Sequence, residues 1–153
     1  MKKIFIFLFI FMGWSSIVFA VDPIGINDVS IEPIIIHQIY NEAFVESVFG
    51  KRTLVREKGS FKQINFTTGC VCIDMRTNEI IALALFRSSK LHTYRNITIG
   101  MTLQDVISMY GVPNEIKYKK KEMNIYYKGL HQSVQFAISK EDGRITFIGT
   151  GSD

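Results

Sequence analysis

Residues 96–113 read NITIGMTLQDVISMYGVP, and this stretch decides how the rest of the chain is divided. Ile97 and Ile99 alternate as the end of a strand or an extended lead-in does, and Gly100 permits a turn. Thr102 offers an N-cap hydroxyl, with Asp105 three residues on. Leu103, Val106, Ile107 and Tyr110 then recur at i, i+3, i+4 and i+7, which is one apolar face of a helix. Gly111 accepts the positive φ of a helix end, and Pro113 forbids continuation. The stretch therefore predicts a short helix of about two to three turns.

The same design occurs upstream. Asn41 can cap a helix, Val45, Val48 and Phe49 form its stripe, and Gly50 ends it. Val45, Val48, Phe49 and Gly50 fall on Val106, Met109, Tyr110 and Gly111 at a constant offset of 61, and Ile64 and Phe66 fall on Ile125 and Tyr127. At an offset of 65, Val71, Ile73 and Ile80 fall on Phe136, Ile138 and Ile145. Polar residues separate the apolar runs in both copies: Arg76–Glu79 in the first, and Lys140–Arg144, with its hairpin-forming Asp142-Gly143, in the second. The expectation is an α+β fold of two similar units, approximately 36–86 and 97–150. Each is a short helix followed by an antiparallel β-meander, with the helices packed on one face of the sheet.

Ile80–Phe86 is almost uninterruptedly apolar and reads as a central strand, buried on both sides or at the junction between units. Val29–Tyr40 is rich in isoleucine but contains Pro33, so it reads as an extended arm or an edge strand.

The N-terminus reads as a secretory signal peptide over residues 1–20. Lys2 and Lys3 precede an apolar run from Ile4 to Met12, and Val18 and Ala20 stand at −3 and −1 of a cleavage site before Val21. The rival reading is a retained anchor, for which the apolar stretch is slightly short of the roughly 20 residues a bilayer needs. Cleavage predicts one domain over residues 21–153, in the periplasm or secreted, without stable membrane insertion. A lipidated form would need cysteine where Val21 stands. The full chain carries +4, and loss of the two lysines leaves +2, which gives no argument for a nucleic-acid partner.

Cys70 and Cys72 lie in an apparent strand, on one face, with Cα atoms near or beyond the limit for an ordinary disulfide. Two free thiols, a strained bridge and intermolecular pairing are all open readings, and the residues form a candidate redox pair. The thioredoxin-like arrangement would need two intervening residues and a helix start. His37, His92 and His131 are widely separated, and none has a second ligand at zinc-like spacing. Asp74, Glu79, Asp105 and Asp142 border turns or a helix start, and no phosphate loop, nucleophile elbow or zinc-protease helix occurs. No catalytic, cofactor-binding or metal site is therefore assigned.

Aromatic and basic residues mingle in the second meander. Tyr118, Lys119, Lys121, Tyr126 and Lys128 form a candidate protein-binding surface, since tyrosine supplies rigid contact area with a polar end. The run Lys117–Lys121 also reads as a solvated loop or edge strand.

Ile99–Pro113, carried by Gly100, Thr102, Val106, Gly111 and Pro113, resembles the signature region of the SmpA/OmlA (BamE-like) family of bacterial envelope proteins. Asp142–Ile145 with Phe147 and Ile148 resembles that family's closing hairpin, and the tandem arrangement is similar to secreted β-lactamase inhibitor proteins. The resemblance implies binding of a protein rather than turnover of a substrate. The expected function is an exported, non-enzymatic protein-binding protein: an inhibitor, an immunity protein or an envelope accessory factor. The alternative is a small envelope enzyme or metal-binding protein using Cys70, Cys72 and a histidine.

Overall fold

The computed structural model describes residues 24–152, so the signal-peptide reading and the start of the mature chain lie outside the described residues. A 3-10 turn at Asn27–Val29 precedes helix α1 (Glu42–Phe49) and strands β1 (Arg52–Lys58), β2 (Phe61–Phe66), β3 (Gly69–Asp74) and β4 (Glu79–Leu85). Helix α2 (Leu103–Tyr110) then leads into β5 (Glu115–Tyr118), β6 (Glu122–Lys128), β7 (Gln132–Ser139) and β8 (Ile145–Ser152).

Both helices begin at side-chain caps. Asn41 Oδ1 accepts the Phe44 N–H at 3.0 Å. Thr102 Oγ1 accepts the Asp105 N–H while Asp105 Oδ2 accepts the Thr102 N–H at 2.8 Å, a reciprocal pair that satisfies donors a helix start leaves unpaired. Gly111 ends α2 with φ 76°, a conformation costly for any residue with a Cβ.

The expectation of two helix-plus-meander units is corrected here. The eight strands form one antiparallel sheet in the order β1-β2-β3-β4-β8-β7-β6-β5, and helix is a minor component. The overturning contact is the pairing of β4 with β8, with Ala82, Ala84 and Leu85 opposite Gly151, Gly149 and Ile148. A meander ending at β4 would expose a row of unpaired backbone groups, and the edge of β8 satisfies them. Ile80–Leu85 accordingly runs at the centre of the sheet. It is covered by the core on one face only, because Ala82 and Ala84 face the other way.

Register identifies the covered face. Ile64, Val71, Leu83, Thr150, Val134 and Tyr127 stand side by side across six strands, and all are buried. Both helices lie over this face. Phe49 of α1 tilts against Phe66 with ring centroids 6.1 Å apart, and Tyr110 of α2 meets Tyr127 and Phe136 at 5.2 Å each. Tyr127 Oη also donates to the Gly111 carbonyl at 2.9 Å, fixing the end of α2 to β6. The close approach of β4, with α1 behind it, leaves no room for a side chain at Gly69, since a Cβ there would meet the Ala84 carbonyl oxygen at 2.5 Å and the Phe49 ring at 3.1 Å.

The segment 29–40 forms isolated bridges rather than an edge strand, pairing Ile31 with Ile34 and Thr93, and Ile39 with Glu79. Val29, Ile31, Ile34 and Ile36 are buried in the same apolar cluster as the sheet. The arm is held from below by Asp28, whose carboxylate receives Arg95 through two guanidinium nitrogens, with Nη2 to Oδ2 at 2.8 Å. Arg95 also lies 5.0 Å from the Tyr110 ring centroid and donates to the Met109 carbonyl. Among the described residues, no helix is long and apolar enough to cross a membrane.

Candidate functional site

Among the described residues, no helix or strand packs on the face opposite the helices, and the composition of that face follows from the same register. On one rung Cys72, Ala82 and Gly151 stand side by side on β3, β4 and β8, flanked by Gln63 and Ser133. On the next rung Cys70, Ala84 and Gly149 repeat the sequence, flanked by Asn65 and Gln135. The centre of the face therefore carries nothing larger than a thiol, while its flanks carry amides and aromatic rings.

The result is an open groove of about 490 Å³, lined mostly by apolar surface. Phe147 closes one end by lying over Gly149, where an added Cβ would be 2.9 Å from the ring. Tyr126 forms a second wall, with Lys117 Nζ 5.0 Å from its ring centroid. Glu115 holds Lys117 at 3.0 Å and Lys128 at 2.9 Å, which keeps its carboxyl below the usual carboxylate range. Arg56 and Lys128 close the two outer ends of the Cys72 rung. The groove thus has an apolar floor between cationic flanks.

This arrangement divides the surface expected from sequence. Tyr126 and Lys128 belong to the open face. Tyr118 pairs with Met123 and so faces the helix side, where it is 71% exposed and lies under Lys140. Lys119 and Lys121 occupy the exposed turn between β5 and β6. The residues missed in the sequence are Ala82, Ala84, Phe147, Gly149 and Gly151. Small residues mark a groove only once strands 60 and more positions apart are known to be neighbours, and no local signal reports that.

Cys70 and Cys72 are free thiols that line the same groove. Burial, reinforced by the neighbouring Cys72, pushes the Cys70 thiol up to about 12, and burial also raises Cys72. Both are therefore protonated near neutrality and poor nucleophiles. Burial likewise raises Tyr110 and Tyr127 to about 12.

A group whose pKa is raised on folding stabilises the native state below its unfolded pKa and loses that contribution as pH climbs to the folded value. Stability from Cys70 is thus complete below about pH 9, that from the two tyrosines below about pH 10, and both are lost toward pH 12. Urea midpoints measured from pH 8 to 11.5 should fall progressively above pH 9, and a flat profile would contradict the assigned burial.

None of the three histidines lines the groove. His92 Nδ1 lies 3.1 Å from the Thr93 carbonyl, and His131 is exposed in the β6–β7 turn. His37 stands with Nε2 3.2 Å from Ser152 Oγ and Nδ1 3.4 Å from Glu79 Oε2, the order of a Ser-His-acid relay. The His37 and Glu79 side chains are 42% and 36% exposed, so the pair acts as a solvated tether between the arm and the sheet. Among the described residues, no group of three or more His, Cys, Asp or Glu is placed to hold a metal ion.

No protein-family model and no curated protein matches the chain. Two crystal structures are similar in outline. One is a DUF4309 family protein (YjgB) from Bacillus subtilis subsp. subtilis str. 168, at 13% identity and TM-score 0.47, covering 82% of each chain. The other is a cysteine-rich secretory protein (SAV1118) from Staphylococcus aureus subsp. aureus Mu50, at 9% identity and TM-score 0.45. That match covers 72% of this chain and 43% of that one. Likeness at this level supports no functional argument.

Proposed function

We propose that this chain is an exported, non-enzymatic protein-binding protein that docks its partner on the open face of the sheet. The observation that carries the reading is the groove of about 490 Å³ at the centre of that face, floored by Ala82, Ala84, Gly149 and Gly151. Interface cores are apolar and aromatic with polar rims, and this face has that layout, with Phe147 and Tyr126 beside the floor and amide side chains around it. Arg56 and Lys128 at its ends favour a partner segment that presents an apolar side chain between carboxylates. Export is part of the proposal and rests on the composition of residues 1–20. The roles that fit are inhibitor, immunity protein or envelope accessory factor, in keeping with the resemblance of Ile99–Pro113 to SmpA/OmlA proteins.

The experiment is capture from an extract of the producing cells with immobilised residues 21–153. A single protein recovered in stoichiometric amount, absent when the bait is heat-denatured, is the expected result. Repeated recovery of no stoichiometric partner would count against the reading.

A further inference from the structure

Cys70 and Cys72 carry a second inference, independent of protein docking. Both thiols are free, belong to one strand and line the same groove. Across β4 they face Ala84 and Ala82, whose side chains end at Cβ, and across β2 they face Asn65 and Gln63.

We propose that Cys70 and Cys72 form a two-coordinate site for Cu(I), a soft monovalent cation, in the floor of the open face. Residues two apart on a strand have Cα atoms about 6.4–6.8 Å apart, which strains a disulfide. Two metal–thiolate bonds of about 2.3 Å placed nearly in line need sulfurs about 4.6 Å apart, a separation that two side chains leaning toward each other can reach. Spacing that resists a direct S–S bond therefore suits an ion between the thiols.

The donor set selects the metal. Structural zinc takes four N, S or O ligands, and calcium and magnesium take six or more oxygens. The groove supplies two sulfurs, no histidine and no carboxylate. Thiolates prefer Cu(I) among common ions, and near-linear coordination completes its shell with two. Binding involves no oxidation or reduction. The ion displaces the two thiol protons: two S–H bonds are exchanged for two Cu–S bonds, two protons go to solvent, and the bis-thiolate complex carries one negative charge.

The test is an anaerobic titration of reduced residues 21–153 with Cu(I) in competition with a chromophoric Cu(I) chelator, followed by X-ray absorption of the loaded protein. The expected result is one Cu(I) per chain with two sulfur neighbours, and no retention of Zn(II) added alone. Cys70→Ser and Cys72→Ser should each weaken retention by about 100-fold or more, since each removes the chelating partner. His92→Ala and His131→Ala should retain copper as the parent does. Urea midpoints of the serine variants show whether they are folded, and if one is not, the corresponding alanine variant takes its place in the same competition. The proposal is overturned by failure to take Cu(I) from the chelator, by undiminished retention in a folded single variant, or by three or more sulfur neighbours, which would place the ion between chains.

Discussion

Replacing Arg95 with alanine is expected to cost about 3–5 kcal/mol of stability, as removing one partner of a buried ion pair does. Asp28 and Arg95 side chains are 8% and 14% exposed, and the guanidinium meets the carboxylate through two nitrogens. The same carboxylate accepts the Gly25 N–H at 2.8 Å, so it stays in place when the arginine is removed and is left charged in a poorly solvated site. Arg95 also covers the Tyr110 ring and donates to Met109, so its loss loosens α2 together with the arm. Urea unfolding followed by circular dichroism measures the effect. Asp28→Ala together with Arg95→Ala should cost less than the sum of the single changes, because neither charge is then stranded. A loss under about 1 kcal/mol for Arg95→Ala would place the pair with solvated surface bridges instead.

Phe136→Ala is expected to cost a similar 3–5 kcal/mol, the range for emptying a buried aromatic site. Phe136 is fully buried and meets Tyr110 edge-on at 5.2 Å and Tyr127 at 6.1 Å, so its removal leaves a void beneath α2. Phe147, in the neighbouring strand but on the open face, provides the contrast. Phe147→Ala should change stability far less and weaken partner binding instead. The two variants, compared by urea unfolding and by titration with the partner, separate the face that holds the fold from the face assigned to recognition. Equal loss of stability in both would contradict that division.

Local features were legible in the sequence because their chemistry is local. The caps at Asn41 and Thr102 and the stop at Gly111 follow from residues within one helix turn. The burial of Ile64, Phe66, Val71, Ile73, Ile125, Tyr127, Phe136 and Ile138 follows from alternation along single strands. Ile80–Phe86 read as a central strand or a junction between units, but its pairing with β8 was not legible, because it depends on which of several available edges meet, and its residues include alanines and glycines with little pairing preference. That one pairing turns the expected two units into one sheet. The candidate site was hidden for the same reason. Alternation placed Cys70 and Cys72 on one face, but only the neighbouring strands set Ala82, Ala84, Gly149 and Gly151 beside them. Tyr118 and Tyr126 were grouped by residue type, and the β5–β6 register, with Tyr118 opposite Met123 and Tyr126 opposite Glu115, sends the two rings to opposite sides of the sheet.

The proposed docking puts the partner on the open face and not on the helical side. Gly151 sits in the groove floor, where an added Cβ would meet Ala82 Cβ at an ordinary 3.5 Å, so Gly151→Trp can project its ring into the open groove, and its urea midpoint checks that the sheet stays folded. Gln104, exposed on α2, provides the control Gln104→Trp on the other side of the molecule. Calorimetric titration of the captured partner should show Gly151→Trp weakened by about 100-fold or more, the scale of losing an interface centre, with Gln104→Trp unchanged. Undiminished affinity in Gly151→Trp, or loss confined to Gln104→Trp, would contradict docking on the open face.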